Sequence, residues 1–187
     1  MALLSDQTIA ILAGDGVLQT ELVRPREALE KASVKVEVVS LRGNEVTAWV
    51  NEAWSIRVKI DKHVQAVNID DYDGLLLPGG RHVENIYQNQ AVANLIKQFF
   101  GSGKLIGAIG HGVQFLAGAH VTEGRMIASA PELKPAIEES GGIWKDINVV
   151  TDNGVITCDS GKNIDAFNTI FIDELRKGIR QRTETII

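Results

Sequence analysis

The chain has 187 residues, of which 44% are hydrophobic and 23% are charged, and its formal net charge is −5. This ordinary globular composition predicts a single domain over residues 1–187 and, with mixed charges and few aromatic residues, no nucleic-acid partner. No apolar stretch approaches the roughly 18 residues of a membrane span. With one cysteine and no signal-peptide pattern at its start, we expect a cytoplasmic protein that does not contact the membrane.

The first 41 residues predict a β-α-β unit. The apolar, β-branched run 8–13 predicts a strand, which ends at the turn 14–16. Apolar residues at helical spacing then predict a helix over 18–33, which Pro25 should start or kink. The alternating pattern over 34–41 predicts the second strand.

The middle of the chain is less regular before the β-α alternation returns. Over 42–70, two tryptophans and the alternating run 55–60 predict a small antiparallel excursion. The apolar run 73–77 predicts a buried strand that ends at the turn 78–80. An amphipathic pattern predicts a helix over 90–100.

The last third continues the alternation. The apolar run 104–109 predicts a parallel strand, followed by the turn 110–112 and a helix over 113–119. The remaining predicted elements are a turn with a short strand over 121–128, a helix over 133–140, strands over 147–150 and 155–157, and a closing helix over 163–177. Together these elements predict an α/β fold, a three-layer sandwich whose mostly parallel central sheet has helices on both faces.

The strand-to-helix turn at 108–112 has the spacing of a nucleophile elbow. Ala108 and Gly112 provide the small residues that such a sharp bend requires on either side of a strained central residue. The centre is Gly110, which has no side chain to act as a nucleophile. Glycine adopts the strained backbone at little cost, so the bend can persist without the chemistry. Alternatively, Gly110 simply starts a tight turn.

Two motifs and one acid occur in an order that is characteristic of a known family. LLLPGG (75–80), AIGHG (108–112) and Glu21 resemble the DJ-1/PfpI family, and the resemblance extends from about Thr8 to about Leu175. It is greatest to the PfpI branch of intracellular proteases and general stress proteins, which usually reads A-I-C-H-G at the elbow. The resemblance implies a flavodoxin-like, class I glutamine amidotransferase-like fold.

The resemblance also assigns roles to individual residues. Glu21 matches the glutamate that hydrogen-bonds the reactive cysteine, Gly110 replaces that cysteine, and His111 matches the adjacent histidine. From the residues alone, Glu21 is more often a solvated or cap-paired acid, and His111 could equally make only structural hydrogen bonds.

Further site residues follow from the same comparison. Gly79 and Gly80 match the segment whose backbone N–H groups form an oxyanion site. Glu84 matches the glutamate that reaches the histidine of a neighbouring subunit in the PfpI branch, unless it is simply a surface acid. Since that branch builds its site across subunits, the resemblance implies self-association into a dimer or a hexamer.

A second departure from the family lies at 157–161. The PfpI branch commonly reads T-S-R-x-P, whereas this chain reads T-C-D-S-G, so an arginine and a proline are missing and an acid replaces a base. Cys158 follows an apolar strand, where a lone cysteine is more often a small buried hydrophobe than a substitute nucleophile.

We expect neither a metal nor another cofactor. The loop 14–16 lacks the spacing of a dinucleotide fingerprint or a phosphate loop. The four histidines show neither an i, i+4 pair nor a cluster with cysteine, and they are His63, His82, His111 and His120.

Three readings of the function remain. The family implies cysteine peptidases and glyoxalase-like or deglycase-like hydrolases, but without a thiol at 110 only a water activated by Glu21 or His111 could attack a substrate. The second reading, which fits both departures better, is a catalytically impaired homologue whose elbow pocket binds a small molecule or an anion. In the third, Gly110 is an engineered replacement of cysteine, although a single substitution would have left the arginine near residue 159 in place.

Overall fold

The computed structural model describes residues 3–178 and the two residues 185–186, which together form twelve strands and six α-helices. The strands are β1 (Thr8–Leu12), β2 (Lys35–Ser40), β3 (Glu45–Val50), β4 (Ala53–Lys59), β5 (Lys62–His63), β6 (Gly74–Leu77), β7 (Leu105–Ile109), β8 (Met126–Ile127), β9 (Ile143–Trp144), β10 (Val149–Asp152), β11 (Val155–Cys158) and β12 (Thr185–Ile186). The helices are α1 (Gln19–Lys31), α2 (His82–Ile86), α3 (Gln90–Gly101), α4 (Gln114–Gly118), α5 (Lys134–Glu139) and α6 (Ile164–Lys177). None of these helices has the length and apolar composition needed to cross a membrane.

The central sheet contains eight strands in the order β12-β10-β11-β7-β6-β1-β2-β5. β10 is antiparallel to both of its neighbours, and the other pairs are parallel. Within β1, Ile9 lies opposite Val36 of β2 on one side and Gly74 of β6 on the other. The chain therefore extends the sheet in both directions from β1. In doubly wound sheets, ligands bind at such a switch point, beyond the carboxyl ends of the strands.

Both faces of the sheet are buried, which gives three layers. Along β1, Ala10 and Leu12 belong to one apolar cluster, whereas Ile9 and Ile11 belong to the other. The first cluster includes side chains of α3, α4 and α5, and the second includes side chains of α1 and α6. A strand buried on both faces needs consecutive apolar residues, as in the leucine run of β6. This is the flavodoxin-like α/β sandwich that the sequence predicted.

The predicted elements are present, with their ends shifted by a few residues. Pro25 was expected to start or kink the first helix; it does not start it, because α1 begins at Gln19 and continues through this proline. Pro25 has no N–H to donate to the carbonyl of Glu21, but burial of Leu22 and Leu29 holds the helix on both sides of it. The short elements α2, β5, β9 and β12 were not predicted, and β8 pairs with β9 outside the central sheet.

The predicted antiparallel excursion is the hairpin β3–β4, which packs against the loop after β1. The N–H of Gly16 donates to the carbonyl of Thr47 over 2.8 Å, and the N–H of Trp49 donates to the carbonyl of Val17 over 2.8 Å. The carboxylate of Asp15 accepts from the N–H of Thr47 over 2.7 Å. These bonds fix the hairpin beside the carboxyl ends of β1 and β2.

Candidate functional site

The turn after β7 has the backbone of a strained elbow. Gly110 has φ +53° and begins a 3-10 turn over Gly110–Val113 that leads into α4. A Cβ atom on Gly112 would lie 2.1 Å from the carbonyl oxygen of Leu77, at the end of β6. Only glycine therefore allows the turn to approach β6 this closely, which is the physical reason for the small residue predicted there.

The position of Gly110 has room for a side chain. A Cβ atom built there would lie 3.4 Å from Oε1 of Glu21, 3.7 Å from the carbonyl oxygen of Asp159 and 3.8 Å from Cα of Ser160. These are ordinary van der Waals contacts, so a Cβ atom fits there, although the positive φ of Gly110 strains any other residue. A side chain at this position would begin beside the carboxyl group of Glu21, where the resemblance expects a reactive cysteine.

Glu21 lies in the first turn of α1 and is only 3% exposed. Its Oε2 accepts a hydrogen bond of 2.7 Å from the N–H of Gly79, and the carboxyl group also accepts from the N–H of Gly161. Burial raises the pKa of Glu21 from 4.5 to about 7, and the two backbone hydrogen bonds oppose that shift. Near neutral pH the carboxyl group is therefore populated in both protonation states, as a proton donor or acceptor requires.

Gly79 and Gly80 form the loop that follows β6 and closes one side of the site. The N–H of Gly79 donates to Glu21, so it is already engaged within the chain. Gly80 has φ +123°, and a Cβ atom there would lie 2.4 Å from the carbonyl oxygen of Gly16. The loops after β1 and β6 thus require glycine for their close approach, and the oxyanion role of this segment stays a prediction.

His111 lies next to the elbow, and its side chain is 49% exposed. Its Nε2 is 2.9 Å from Oε1 of Glu132, which lies in the 3-10 turn Pro131–Leu133. Sequence reasoning missed Glu132, because nothing in the spacing of the two residues indicates that they meet. Among the described residues, His111 therefore has an acidic partner on its own chain.

Glu84 lies on α2 and is exposed. Its side chain forms no hydrogen bond or ion pair with any other residue in the described part of the chain. The predicted contact of Glu84 with the histidine of a neighbouring subunit stays a prediction.

The end of β11 and the segment that follows it line the site next to Glu21. Cys158 is fully buried, and its thiol donates to the carbonyl of Ser160 over 3.2 Å. Burial raises the pKa of the Cys158 thiol to about 12, so it is not a thiolate at neutral pH. The carboxylate of Asp159 accepts from Oγ of Ser160 over 3.3 Å and from the amide of Asn163 over 2.8 Å. The residues that depart from the family pattern thus form a hydrogen-bonded rim.

The four histidines do not come together as a metal centre. Within residues 3–178, no group of three or more His, Cys, Asp or Glu side chains is arranged to hold a metal ion. His63 contacts the carbonyl oxygen of Gly43 through Nε2 over 2.9 Å, and His82 is buried against Phe115.

Comparison with known proteins identifies the family. Residues 7–174 match the model of the DJ-1/PfpI family. A deglycase of Pyrococcus abyssi is 32% identical over 149 residues, which cover 80% of this chain and 87% of that protein. YraA of Bacillus subtilis, which carries a provisional cysteine protease name, is 30% identical over 161 residues, covering 86% and 93% of the two chains.

A solved structure supports the fold independently. The ThiJ/PfpI domain protein of Brachyspira murdochii superposes with a TM-score of 0.86 at 17% identity, covering 92% of this chain and 97% of that one. At that identity the match concerns the fold alone. The match to the family model and the identity to the relatives show the family as well as the fold. The chain belongs to the DJ-1/PfpI family, as its LLLPGG and AIGHG motifs predicted.

Proposed function

We propose that this chain is a DJ-1/PfpI protein without covalent cysteine chemistry, whose elbow pocket binds a small molecule or an anion. The observation that carries the proposal is the environment of Gly110. A side chain there would start 3.4 Å from Oε1 of Glu21, yet the residue is glycine. The pocket therefore keeps Glu21, the partner of a nucleophile, but lacks the nucleophile itself.

No other thiol takes over that role. Cys158 is the only cysteine of the chain, and it is buried with its pKa raised to about 12. A nucleophilic cysteine requires the thiolate and access for the substrate. Cys158 meets neither requirement, so attack by a cysteine on a carbonyl carbon is closed to this chain.

The retained groups suit reversible binding. When protonated, Glu21 can donate a hydrogen bond to a ligand oxygen beside Gly110 while its carboxyl group keeps the two backbone N–H partners. His111, which lies at the exposed side of the elbow, supplies a second polar group. A stress-related role, which the family resemblance implies, stays a prediction.

The test compares the natural protein with Gly110→Cys and Gly110→Ala. Because two relatives carry the names deglycase and cysteine protease, the substrates are methylglyoxal and a fluorogenic peptide. We expect no turnover by the natural protein or by Gly110→Ala, which fills the gap without adding a thiol. Turnover should appear only in Gly110→Cys, because a covalent nucleophile is worth at least about a thousandfold in rate. Turnover by the natural protein would contradict the proposal.

Binding is tested separately by crystallography. We expect electron density for a water or an anion beside Gly110, within hydrogen-bond distance of Oε1 of Glu21. In Gly110→Ala the methyl group should displace it, while the positions of Glu21 and His111 should not change. The absence of such density from both the natural protein and Gly110→Ala would contradict the binding role.

One observation favours a second candidate function. The pKa of Glu21 near 7 is suited to proton transfer at neutral pH, so Glu21 with His111 could activate a water for hydrolysis without a cysteine. This reading requires turnover by the natural protein that is lost in Glu21→Gln and follows the titration of Glu21. Gly110→Ala should reduce that turnover, because the methyl group occupies the position of the attacking water.

We also propose that the chain self-associates through the face that carries Glu84. The exposure of this acid and its lack of a partner among the described residues support the proposal. Sedimentation should show a dimer or a hexamer at micromolar concentration. A monomer would remove Glu84 from the site.

A further inference from the structure

A cavity of about 500 Å³ lies on the opposite side of β1 from the elbow. Its walls come from the loops that follow β1 and β2 and from α2, which follows β6. We call it the β2-side cavity; its polar lining residues are Asp15, Ser40, Arg42, His82 and Asn85. None of the residues assigned to the elbow site lines it. Its size and its position beyond the carboxyl ends of parallel strands are those of a small-molecule site.

His82 is the most unusual group in this wall. It is 1% exposed, and neither ring nitrogen has a hydrogen-bond partner among the described residues. Burial lowers the pKa of His82 to about 3, so the imidazole is neutral at neutral pH and offers one N–H and one lone pair. An unpaired buried polar group is destabilising, and a native protein that keeps one usually has a use for it.

The ring is held from two sides. It packs against Phe115 with ring centroids 5.7 Å apart, and a Cβ atom on Gly14 would lie 3.2 Å from Cβ of His82. Because His82 also lines the β2-side cavity, its two ring nitrogens are the unpaired buried polar atoms of this wall.

The other polar side chains of the cavity are also available. In the described part of the chain, the Arg42 guanidinium and the Asn85 amide form no hydrogen bond or ion pair, and the Ser40 hydroxyl has no side-chain partner. Asp15 uses one carboxylate oxygen for the N–H of Thr47 and keeps the other. The cavity thus offers one unpaired cation, the carboxylate of Asp15 and several neutral donors and acceptors.

We propose that the β2-side cavity is a second ligand site, which takes a small polyhydroxylated carboxylate. The guanidinium of Arg42 binds the carboxylate of the ligand, because planar guanidinium and carboxylate groups match in geometry. The His82 imidazole and the Ser40 hydroxyl pair with ligand hydroxyl groups. Asn85 and the free oxygen of Asp15 pair with the hydroxyl groups that remain.

The competing explanation is that His82 merely fills space in the core. Packing alone would be served better by leucine, which buries apolar surface without leaving two polar atoms unpaired. The two explanations therefore differ in what His82→Leu does. A space-filling role predicts no effect on binding, whereas a ligand site predicts lost affinity in a protein that is as stable as the natural one or more so.

The test is calorimetric titration of the full chain with three six-carbon probes. Gluconate carries both a carboxylate and hydroxyl groups, sorbitol has only hydroxyl groups, and hexanoate has only the carboxylate. We expect saturable binding of gluconate and at least about tenfold weaker binding of the other two probes. A tenfold loss corresponds to about 1.4 kcal/mol, which is the size of one protein hydrogen bond.

Variants assign the binding to the cavity. Arg42→Ala and His82→Leu should each weaken gluconate binding by about tenfold or more. Arg57→Ala removes the same charge from the exposed face of β4, and Gly110→Ala alters only the elbow, so neither control should change the affinity. If His82→Leu does not fold, the ring ¹⁵N resonances of His82 in the natural protein decide instead, and they should shift when gluconate is added.

Several results would overturn the proposal. The first is the absence of saturable gluconate binding. The second is a gluconate affinity that is unchanged in Arg42→Ala or in a folded His82→Leu. The third is a set of His82 ring resonances that do not shift when gluconate is added. Inorganic phosphate that competes as strongly as gluconate would also overturn it, because the cavity would then bind any anion. Gluconate affinity lost in Gly110→Ala would place the binding at the elbow.

Discussion

Glu21 and His82 are both buried at the same edge of the sheet, on opposite sides of β1, but they differ in their partners. The Glu21 carboxyl group accepts hydrogen bonds from the N–H groups of Gly79 and Gly161. His82 has no partner for either ring nitrogen among the described residues. Burial moves each pKa toward the neutral form, so that of Glu21 rises to about 7 and that of His82 falls to about 3.

The difference shows two ways in which a fold can keep a buried polar group. At the elbow, Glu21 links the loops after β6 and β11, and the site keeps its shape without a ligand. At the β2-side cavity, the ring nitrogens of His82 form no hydrogen bond within the described chain. The free-energy cost of burying them is offset only when a ligand binds. The buried acid of the elbow is therefore hydrogen-bonded, whereas the buried histidine of the cavity is not. Substitutions in the two regions should change the free energy of unfolding by different amounts and with opposite signs.

The largest effect is expected at the tightest point of the elbow. Gly112→Ala would place a methyl group 2.1 Å from the carbonyl oxygen of Leu77, which forces the backbone of the turn away from β6. We expect a loss of about 4 kcal/mol or more in the free energy of unfolding, measured by urea denaturation.

Gly101→Ala provides the control, because a Cβ atom there meets nothing within 4 Å at the end of α3. It should be neutral or stabilise the protein by up to about 1 kcal/mol. A Gly112→Ala protein as stable as this control would show that the turn and β6 are not closely packed.

Replacing the two buried polar groups by leucine should give effects of opposite sign. Glu21→Leu leaves the N–H groups of Gly79 and Gly161 buried without an acceptor, so we expect a loss of about 3 kcal/mol at about pH 5.5, where Glu21 is protonated in the folded protein. His82→Leu removes two unpaired atoms and should be neutral or stabilising by about 1 kcal/mol. Equal losses in the two variants, measured by urea denaturation, would mean that His82 is as well satisfied as Glu21.

The pH dependence of stability should separate the same two groups. Between pH 4.5 and 7, Glu21 binds more protons in the folded state than in the unfolded state, so its contribution to stability falls as the pH rises. Between pH 3 and 6.5, His82 binds more protons in the unfolded state, so its contribution rises with pH. Each slope is about 1.4 kcal/mol per pH unit, and the two nearly cancel where the windows overlap, between pH 4.5 and 6.5.

Single variants should reveal the cancelled slopes. Relative to the natural protein, His82→Leu should lose about 1.4 kcal/mol per pH unit as the pH rises through the overlap. Glu21→Gln should gain about the same amount per unit. Differences from the natural protein remove the contribution of the other titratable groups, so urea denaturation at several pH values is sufficient. A variant whose profile runs parallel to that of the natural protein would show that the removed group has an ordinary pKa.

The central sheet and the elbow could be predicted from the sequence, because both impose requirements on neighbouring residues. Strands buried on both faces require uninterrupted apolar runs, and the sharp approach of the elbow to β6 requires glycine at 112. Both requirements leave a local pattern in the sequence. The motifs 75–80 and 108–112 then locate the carboxyl edge of the sheet, where Glu21 also lies.

The contacts that distinguish this chain have no such local signal. His111 meets Glu132 because the chain returns to the elbow after α4 and β8, and periodicity does not determine that path. The N–H of Gly161, 140 positions further along the chain, reaches Glu21 from the turn before α6. The burial of His82 depends on α2, whose five residues are too few to show a helical period. From the sequence, His82 was identified only as one of four histidines without the spacing of metal ligands, and its burial was not predicted.

The smallest expected difference between a variant and its control tests the assignment of Gly110 itself. Gly110→Ala places a non-glycine residue at φ +53°, which costs about 1–2 kcal/mol, but the new Cβ atom meets nothing closer than 3.4 Å. Gly124→Ala is the matched control, because Gly124 has φ +69° with nothing within 4 Å of an added Cβ atom. The two variants should therefore lose equal stability, with Tm falling by about 2–4 °C for each kcal/mol. A much larger loss in Gly110→Ala would mean that the elbow cannot hold a side chain, and Gly110 would then be the start of a tight turn rather than a nucleophile position without its nucleophile.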